Sequence, residues 1–154
     1  MTDLDAATLE GVAFLGNTLA PFFLQDPRTG SAEAEFAAVA ALDAQTAGAE
    51  WPFAGQKEAA RYLAMMVEGL APSRVAGEGG AFAADDDLTW EYRRLFIGPA
   101  AKPAPPWGSV YTDRECVVFG ATALELRAWM REHGVARTAD EKTPEDHIGL
   151  MLAL

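Results

Sequence analysis

A dense run of prolines is the feature that most constrains the fold of this chain. Four prolines fall within the eight residues 99–106. Because proline fixes φ and has no backbone N–H, such a run can form neither a regular helix nor a central β-strand. It therefore predicts a long loop, which is either a linker or a functional loop. Trp107 follows at once, and its large ring is either a core anchor or part of a binding surface.

The segments on both sides of this loop have apolar residues at helical spacing and predict six helices. Residues 117–119 favour a β-strand but have no plausible partner, so we predict an all-α fold, a compact helical bundle in a single domain over 1–154. The predicted helices are a first capped by Thr2 or Asp3 and broken or kinked at Pro21, a second over 31–48, a third over 55–70, a fourth that starts at the acids 85–87 and ends at Gly98, a fifth over 122–133 stopped by Gly134, and a last one from Thr143.

The last predicted helix carries clear start signals. Thr143 suits the N-cap, Pro144 suits the first helical position, and Asp146 is the acidic half of a capping box. The helix then runs to an apolar chain end at Leu154 with no stop signal. We therefore expect the natural protein to continue beyond this residue.

The charge balance of the chain bears on its partners. Asp and Glu number 23 against 12 Lys and Arg, a net charge of −11. A nucleic acid is disfavoured as a partner because the positive charge that would neutralise its phosphates is missing. A basic peptide or a basic protein surface is favoured instead, mainly through its rate of association.

Cysteine content and apolar runs bear on the compartment. The single cysteine, Cys116, excludes an intramolecular disulfide and a multi-cysteine zinc site. The acidic N-terminus lacks the basic start and apolar centre of a signal peptide. No uninterrupted apolar run approaches about 18 residues. We therefore predict a cytoplasmic protein without a membrane span.

The titratable residues give no recognisable catalytic or metal motif. Asp146 and His147 are adjacent, so on a helix their side chains project about 100° apart and form no ordinary dyad. Ser109 and Cys116 are available nucleophiles, but neither lies in a nucleophile elbow, and the two histidines lack metal-ligand spacing. We predict no catalytic residue, no metal and no cofactor. A small hydrolase or a nucleotide-binding protein that uses Asp146 and His147 remains the alternative.

Five short motifs together resemble the TorD/DmsD family. They are Leu-Phe-Ile-Gly-Pro at 95–99, Pro-Pro-Trp-Gly-Ser-Val-Tyr at 105–111, Asp-Arg-Glu at 113–115, Phe-Gly at 119–120 and Pro-Glu-Asp-His-Ile-Gly at 144–149. Their order and spacing over residues 95–154 are most similar to the DmsD branch, whereas residues 1–87 match only in helical character. The combination is specific, although any one motif alone is not.

The resemblance implies a cytoplasmic chaperone for a molybdenum oxidoreductase of the dimethyl-sulfoxide-reductase type. Such a chaperone binds the twin-arginine signal peptide and the apo form of its enzyme, and it holds back export until the cofactor is inserted. The peptide-binding residues implied for this chain are Tyr92, Leu95, Phe96, Pro105, Pro106, Trp107, Pro144, Asp146 and His147.

The same resemblance implies how the site would work. Leu95, Phe96 and Trp107 would receive the apolar stretch of the signal peptide, while Asp146 and nearby acids would meet its arginines and His147 would tune that contact. Two positions depart from the family pattern: Tyr92 stands where a tryptophan is common, and Thr143 where an acid is common.

The family pattern also raises two questions beyond the motifs. Family members continue for several more helices, so we expect this chain to lack the C-terminal helices, and a homodimer by domain exchange could complete the groove. Guanosine nucleotide binding has been proposed for the family, but the chain has no phosphate-binding pattern.

Overall fold

The fold confirms the predicted all-α class. The computed structural model describes residues 4–31, 33–70, 87–136 and 143–154, and these contain helices and turns but no β-strand beyond one isolated bridge. The division into domains stays a prediction. The helices are α1 (Ala6–Leu24), α2 (Glu33–Ala40), α3 (Ala44–Glu50), α4 (Gln56–Gly69), α5 (Asp87–Tyr92), α6 (Ser109–Thr112), α7 (Ala121–Glu132) and α8 (Ile148–Leu152), with a 3₁₀ turn at Pro27–Thr29 and a π-helical turn at Arg93–Ile97 directly after α5.

The main apolar cluster forms where α1, α2 and α4 meet. Phe36, Val39 and Leu70 are buried at its centre. The rings of Phe22 and Phe36 stack with their centroids 5.0 Å apart, which ties α1 to α2. Aromatic pairs of this kind contribute more than their buried area alone. This cluster fixes the direction of α1, whose C-terminal end reaches the candidate site.

The short helix α8 lies directly against α1 because glycines remove the side chains between them. A Cβ atom on Gly16 would lie 2.1 Å from the carbonyl oxygen of Leu152, and one on Gly149 would lie 2.6 Å from the side chain of Leu24. Both separations are far below van der Waals contact. The close approach places the end of the described chain beside the C-terminal half of α1.

The first helix begins and ends differently from the prediction. Its N-cap is Asp5, whose carboxylate accepts from Thr8 N–H at 2.7 Å, while Thr2 and Asp3 lie outside the described residues. Pro21 does not break the helix, which continues to Leu24. Proline removes one backbone hydrogen bond, and three residues before the end of the helix this local loss does not stop it.

The single helix predicted over 31–48 is two helices. Asp43 accepts hydrogen bonds from the N–H groups of Gln45 and Thr46 and so starts α3 as its N-cap. Gly48 is not a stop but a buried contact, since its Cβ would lie 2.6 Å from the backbone nitrogen of Ala60 on α4. A carboxylate that competes for backbone N–H groups therefore divides the helix.

Other predicted boundaries are confirmed. Gly98 has φ +101° and ends the π-helical turn, with its N–H donating to the Arg93 carbonyl at 2.8 Å. Gly134 has φ +69° and follows α7, which matches the predicted helix within a residue at each end. Both glycines occupy backbone conformations that other residues rarely adopt. Asp85 and Asp86, predicted at the start of the fourth helix, lie outside the described residues.

Among the described helices, α1 alone is long and apolar enough to cross a membrane, with a mean hydropathy of 1.2. A core helix of a soluble protein or a signal sequence meets the same criteria, so the match is weak evidence. The prediction of no membrane span rested on uninterrupted apolar runs. It is not confirmed and stays a prediction.

Candidate functional site

The two most distinctive motifs of the sequence pair with each other. The N–H of Gly108 donates to the Asp146 carbonyl at 3.0 Å, and the N–H of Ile148 donates to the Pro106 carbonyl at 2.8 Å. These bonds form an isolated antiparallel bridge that sets Trp107 opposite His147. The two rings meet edge to face, with centroids 6.0 Å apart. The proline-rich loop is therefore fixed to the start of α8.

The predicted cap of the last helix is wrong. The helix α8 begins at Ile148 rather than after Thr143, and its cap is His147, whose Nδ1 accepts from Gly149 N–H at 3.1 Å. Residues 144–147, which we call the PEDH turn, form a turn closed by the His147 N–H and the Pro144 carbonyl at 3.1 Å. Pairing with the Pro106–Gly108 backbone requires extended geometry at His147, whose ψ is 128°, and so delays the helix.

Three consecutive side chains of the PEDH turn bind three different helices. Glu145 takes two hydrogen bonds from Arg127 on α7, at 2.7 and 2.8 Å. Asp146 Oδ2 accepts from the backbone N–H of Ser109, the first residue of α6, at 2.6 Å. His147 caps α8. All three side chains are buried, so the turn is a structural junction as well as a wall of the site.

A groove of about 480 Å³ lies between the proline-rich loop, the π-helical turn, α1 and α8. Its volume falls in the usual range for ligand sites, and its surface is mostly apolar. Six of the nine predicted residues lie along it: Leu95, Phe96, Pro105, Pro106, Trp107 and Asp146. The structure therefore brings together most of the predicted site, while the role of these residues in binding stays a prediction.

The other three predicted residues lie behind the groove. Tyr92 is buried, its ring contacts that of Phe96 at 5.0 Å, and its hydroxyl donates to the Phe23 carbonyl at 3.1 Å. Burial and, to a lesser extent, the Asp26 charge raise the pKa of Tyr92 to about 12. Pro144 and His147 are buried in the PEDH turn. Tyr92 and His147 thus support the lining residues Phe96 and Trp107 from behind, whereas Pro144 contacts His147 within the turn.

Several residues that line the groove were not predicted from the sequence. Phe23 comes from the far end of α1, and nothing in the sequence places it beside Phe96, with which it makes an edge-to-face contact at 5.8 Å. Ile148 and Met151 also line the groove. Their spacing of three residues on a helix puts them on one face, a signal that could have identified them. Ala104 and Tyr111 are the other missed side chains.

The polar groups at the groove are few. Trp107 Nε1 and Asp146 Oδ1 are buried, and neither has a hydrogen-bond partner in the part of the chain that the structure describes. Lys102 lies over the Trp107 ring, with its Nζ 5.4 Å from the centroid. Asp146 therefore uses one carboxylate oxygen to hold Ser109 and keeps the other uncommitted.

The geometry gives no support to a catalytic dyad. Nδ1 of His147 is engaged with Gly149, and the Ser109 hydroxyl is buried without a hydrogen bond to any described group. A nucleophile needs a base within hydrogen-bond reach. Cys116 is exposed and its thiol contacts the carbonyl of Asp113. Within the described ranges, no three His, Cys, Asp or Glu side chains are arranged to hold a metal ion.

The environment of His147 predicts a pH dependence of stability. Burial lowers the pKa of His147 below 6.5, although the neighbouring Asp146 charge partly opposes the shift. The unfolded chain therefore binds a proton that the folded chain does not, and the free energy of unfolding falls as the pH drops from about 6.5 towards the lowered pKa.

We expect the free energy of unfolding to fall less on acidification in His147→Asn than in the unaltered protein, because asparagine keeps a side-chain cap without a titrating group. Urea unfolding at pH 7.5 and pH 5 checks this, because the carboxylates common to both proteins cancel in the difference. Equal losses in the two proteins would contradict the assignment.

Comparison with known proteins agrees with the motifs. Residues 54–154 match the family described as nitrate reductase delta subunit. A protein from Salmonella typhi named Tat proofreading chaperone DmsD is 51% identical over 70 residues, which are 46% of this chain and 34% of that protein. A probable Tat proofreading chaperone DmsD from Haemophilus influenzae is 53% identical over 68 residues, 44% of this chain and 34% of that protein.

A more distant relative is a protein from Vibrio vulnificus named chaperone protein TorD. It is 30% identical over 66 residues, which cover 43% of this chain and 31% of that protein. The matched part of this chain thus spans about a third of the length of the curated relatives.

Proposed function

The chain belongs to the nitrate reductase delta subunit family, as a DmsD-like chaperone of the TorD kind. We propose that it binds the twin-arginine signal peptide of a molybdenum oxidoreductase of the dimethyl-sulfoxide-reductase type. The groove between the proline-rich loop and α8 is the observation that carries this proposal. By binding the signal peptide, the chaperone prevents export of the apo-enzyme until the cofactor is inserted.

The apolar surface of the groove supports a ligand with an apolar stretch. Phe23 and Phe96 form one side and Ile148 and Met151 another, with Trp107 between the loop and the helix. Ile148 and Met151 are 42% and 45% exposed, so their burial by a ligand would remove apolar surface from water. The groove volume accommodates a few large side chains rather than a whole helix.

The charge of the site supports a basic flank on the same ligand. Asp146 is the carboxylate that lines the groove, and its Oδ1 is uncommitted. A guanidinium next to the apolar stretch of the peptide would be attracted by the Asp146 carboxylate and by the net charge of −11. His147 contributes indirectly, because its ring contacts Trp107 from behind the groove.

A matched pair of methionines tests the groove. We expect calorimetric titration to show binding of a peptide that carries two arginines and an apolar stretch. Met151→Ala, which removes an apolar side chain from the groove, should weaken this binding about tenfold because less apolar surface is buried by the peptide. Met65→Ala is the control, since Met65 is also exposed, at 58%, but lies on α4 away from the groove.

Two outcomes would contradict the proposal. If the unaltered protein did not bind the peptide, the peptide would not be its ligand. If the two substitutions had equal effects on binding, the groove would not be the binding site. A peptide with its apolar stretch replaced by serines serves as the ligand control.

The wider setting follows from the same proposal. The partner is the apo form of the oxidoreductase that carries the signal peptide, and the compartment is the cytoplasm, where that peptide is present before export. A homodimer formed by domain exchange would bring a second copy to the groove. Light scattering of the purified protein gives the mass that tests the dimer.

The alternative of a hydrolase or a nucleotide-binding protein has no specific observation in its favour. The names of the relatives indicate chaperones and agree with a non-catalytic protein. That the chain lacks enzymatic activity nevertheless stays a prediction.

A further inference from the structure

One partly buried ion pair of the PEDH turn has no direct contact with the groove. The guanidinium of Arg127 binds both oxygens of Glu145, with Nε–Oε1 at 2.7 Å and Nη2–Oε2 at 2.8 Å. We propose that Arg127 is a positioning residue, through which α7 keeps two walls of the groove in place. One wall is the segment that carries Trp107 and the other is α8, and we call this link through α7 the brace. This inference rests on the proposed function for its effect on peptide binding.

The geometry of the pair is suited to fixing orientation. Two parallel hydrogen bonds restrain the carboxylate in both position and plane, which a single contact does not. Glu145 is 3% exposed, whereas the Arg127 side chain is 40% exposed. Removing the arginine would therefore take a bidentate cation from a buried carboxylate, which is costlier than breaking an ion pair between two exposed side chains.

The main chain transmits this restraint to both walls. The residue after Glu145 is Asp146. Its carbonyl accepts a hydrogen bond from the Gly108 N–H, and its Oδ2 accepts one from the Ser109 N–H. Two residues further along the chain, the Ile148 N–H donates to the Pro106 carbonyl. A displacement of Glu145 would thus move the wall that carries Trp107 relative to the wall formed by α8.

The start of α7 is fixed to the segment that follows α6. Both carboxylate oxygens of Asp113 accept from the Thr122 N–H, at 3.1 and 3.2 Å, and so cap α7 from the segment that follows α6. Gly120 permits this contact, because a Cβ there would lie 1.9 Å from Asp113 Oδ2. The helix is therefore linked to Asp113 at its start and to the PEDH turn at Arg127, although none of its residues lines the groove.

Amide hydrogen exchange in the peptide-free protein tests the brace directly. In Arg127→Ala, we expect exchange at the N–H groups of Gly108, Ser109 and Ile148 to become about tenfold faster, since charged hydrogen bonds of this kind contribute on the order of a factor of ten or more. The Leu63 amide on α4 should keep its rate. Arg131→Ala, one turn further along the exposed side of α7, is the matched control and should change none of these rates.

Peptide titration gives the functional readout. Arg127→Ala should weaken binding of the twin-arginine peptide about tenfold, and Arg127→Lys, which restores the charge without the two parallel bonds, should lie between it and the unaltered protein. If Arg127→Ala unfolds, as seen by fast exchange at Leu63 also, Arg127→Lys is measured for the same local pattern.

The outcomes separate this proposal from the proposed function. Unchanged exchange at Gly108, Ser109 and Ile148 in a folded Arg127 variant would overturn the brace. A failure of the unaltered protein to bind the peptide would overturn the proposed function, while faster local exchange would still establish the brace.

Discussion

Replacing Asp146 with alanine is expected to lower the free energy of unfolding by about 2–3 kcal/mol. Its Oδ2 accepts from the Ser109 N–H at 2.6 Å, and Ser109 is fully buried. The substitution would leave this N–H without an acceptor in a place that water does not reach, and only the backbone bond from Gly108 to residue 146 would still link the start of α6 to the PEDH turn. Urea unfolding followed by circular dichroism gives the change.

Two further variants separate the tertiary contact from ordinary capping. Asp146→Asn keeps an oxygen acceptor for Ser109 and should lose only about 1 kcal/mol, because the bond persists without its charge. Asp43→Ala removes the exposed cap of α3 and should also lose about 1 kcal/mol. A loss for Asp146→Ala no larger than that for Asp43→Ala would show that the buried contact is not the main restraint.

The elements that the sequence predicted well are those fixed by neighbouring residues. Gly98 and Gly134 end their helices through positive φ values, a preference of the residue itself. The prolines of 99–106 likewise exclude helix and strand from the loop without reference to any distant contact. Local chemistry was sufficient for the all-α class and for the helix ends at Gly98 and Gly134.

The predicted start of the last helix failed because the real start depends on distant contacts. Thr143, Pro144 and Asp146 have the residue types of a helix start, but the Asp146 side chain binds Ser109, and its carbonyl binds Gly108. These partners are 37 and 38 residues earlier in the chain, and no local pattern reveals them. The contact of Gly16 with α8 was missed for the same reason, because it exists only once the two helices meet.

The candidate site shows the same division. Leu95, Phe96 and Trp107 were identified through the family motifs, and the structure places them along one groove. Phe23 and Arg127 lie outside those motifs and were missed, although one lines the groove and the other holds the PEDH turn. Motifs identify segments, whereas the residues that support those segments from other helices require the fold.

Replacing Trp107 with alanine is expected to weaken binding of a twin-arginine signal peptide about a hundredfold, or about 2.7 kcal/mol. The half-buried indole lies between the proline-rich loop and the PEDH turn, where it contacts the His147 ring and lies beneath the Lys102 ammonium. Its removal would take away the largest apolar surface of the groove and leave a void where the peptide would pack. Calorimetric titration with the same peptide measures the loss.

The comparison with Trp90 decides whether the effect belongs to the groove. Trp90 is 59% exposed and lines a different pocket, beside Arg94 and Pro99, so Trp90→Ala should bind the peptide as the unaltered protein does. Trp107→Phe should fall between the two, because it retains a smaller aromatic ring. Since an aromatic truncation can also destabilise the fold, thermal unfolding of each variant must show a folded protein at the titration temperature. If folded Trp107→Ala then binds as well as Trp90→Ala, the signal peptide does not occupy this groove.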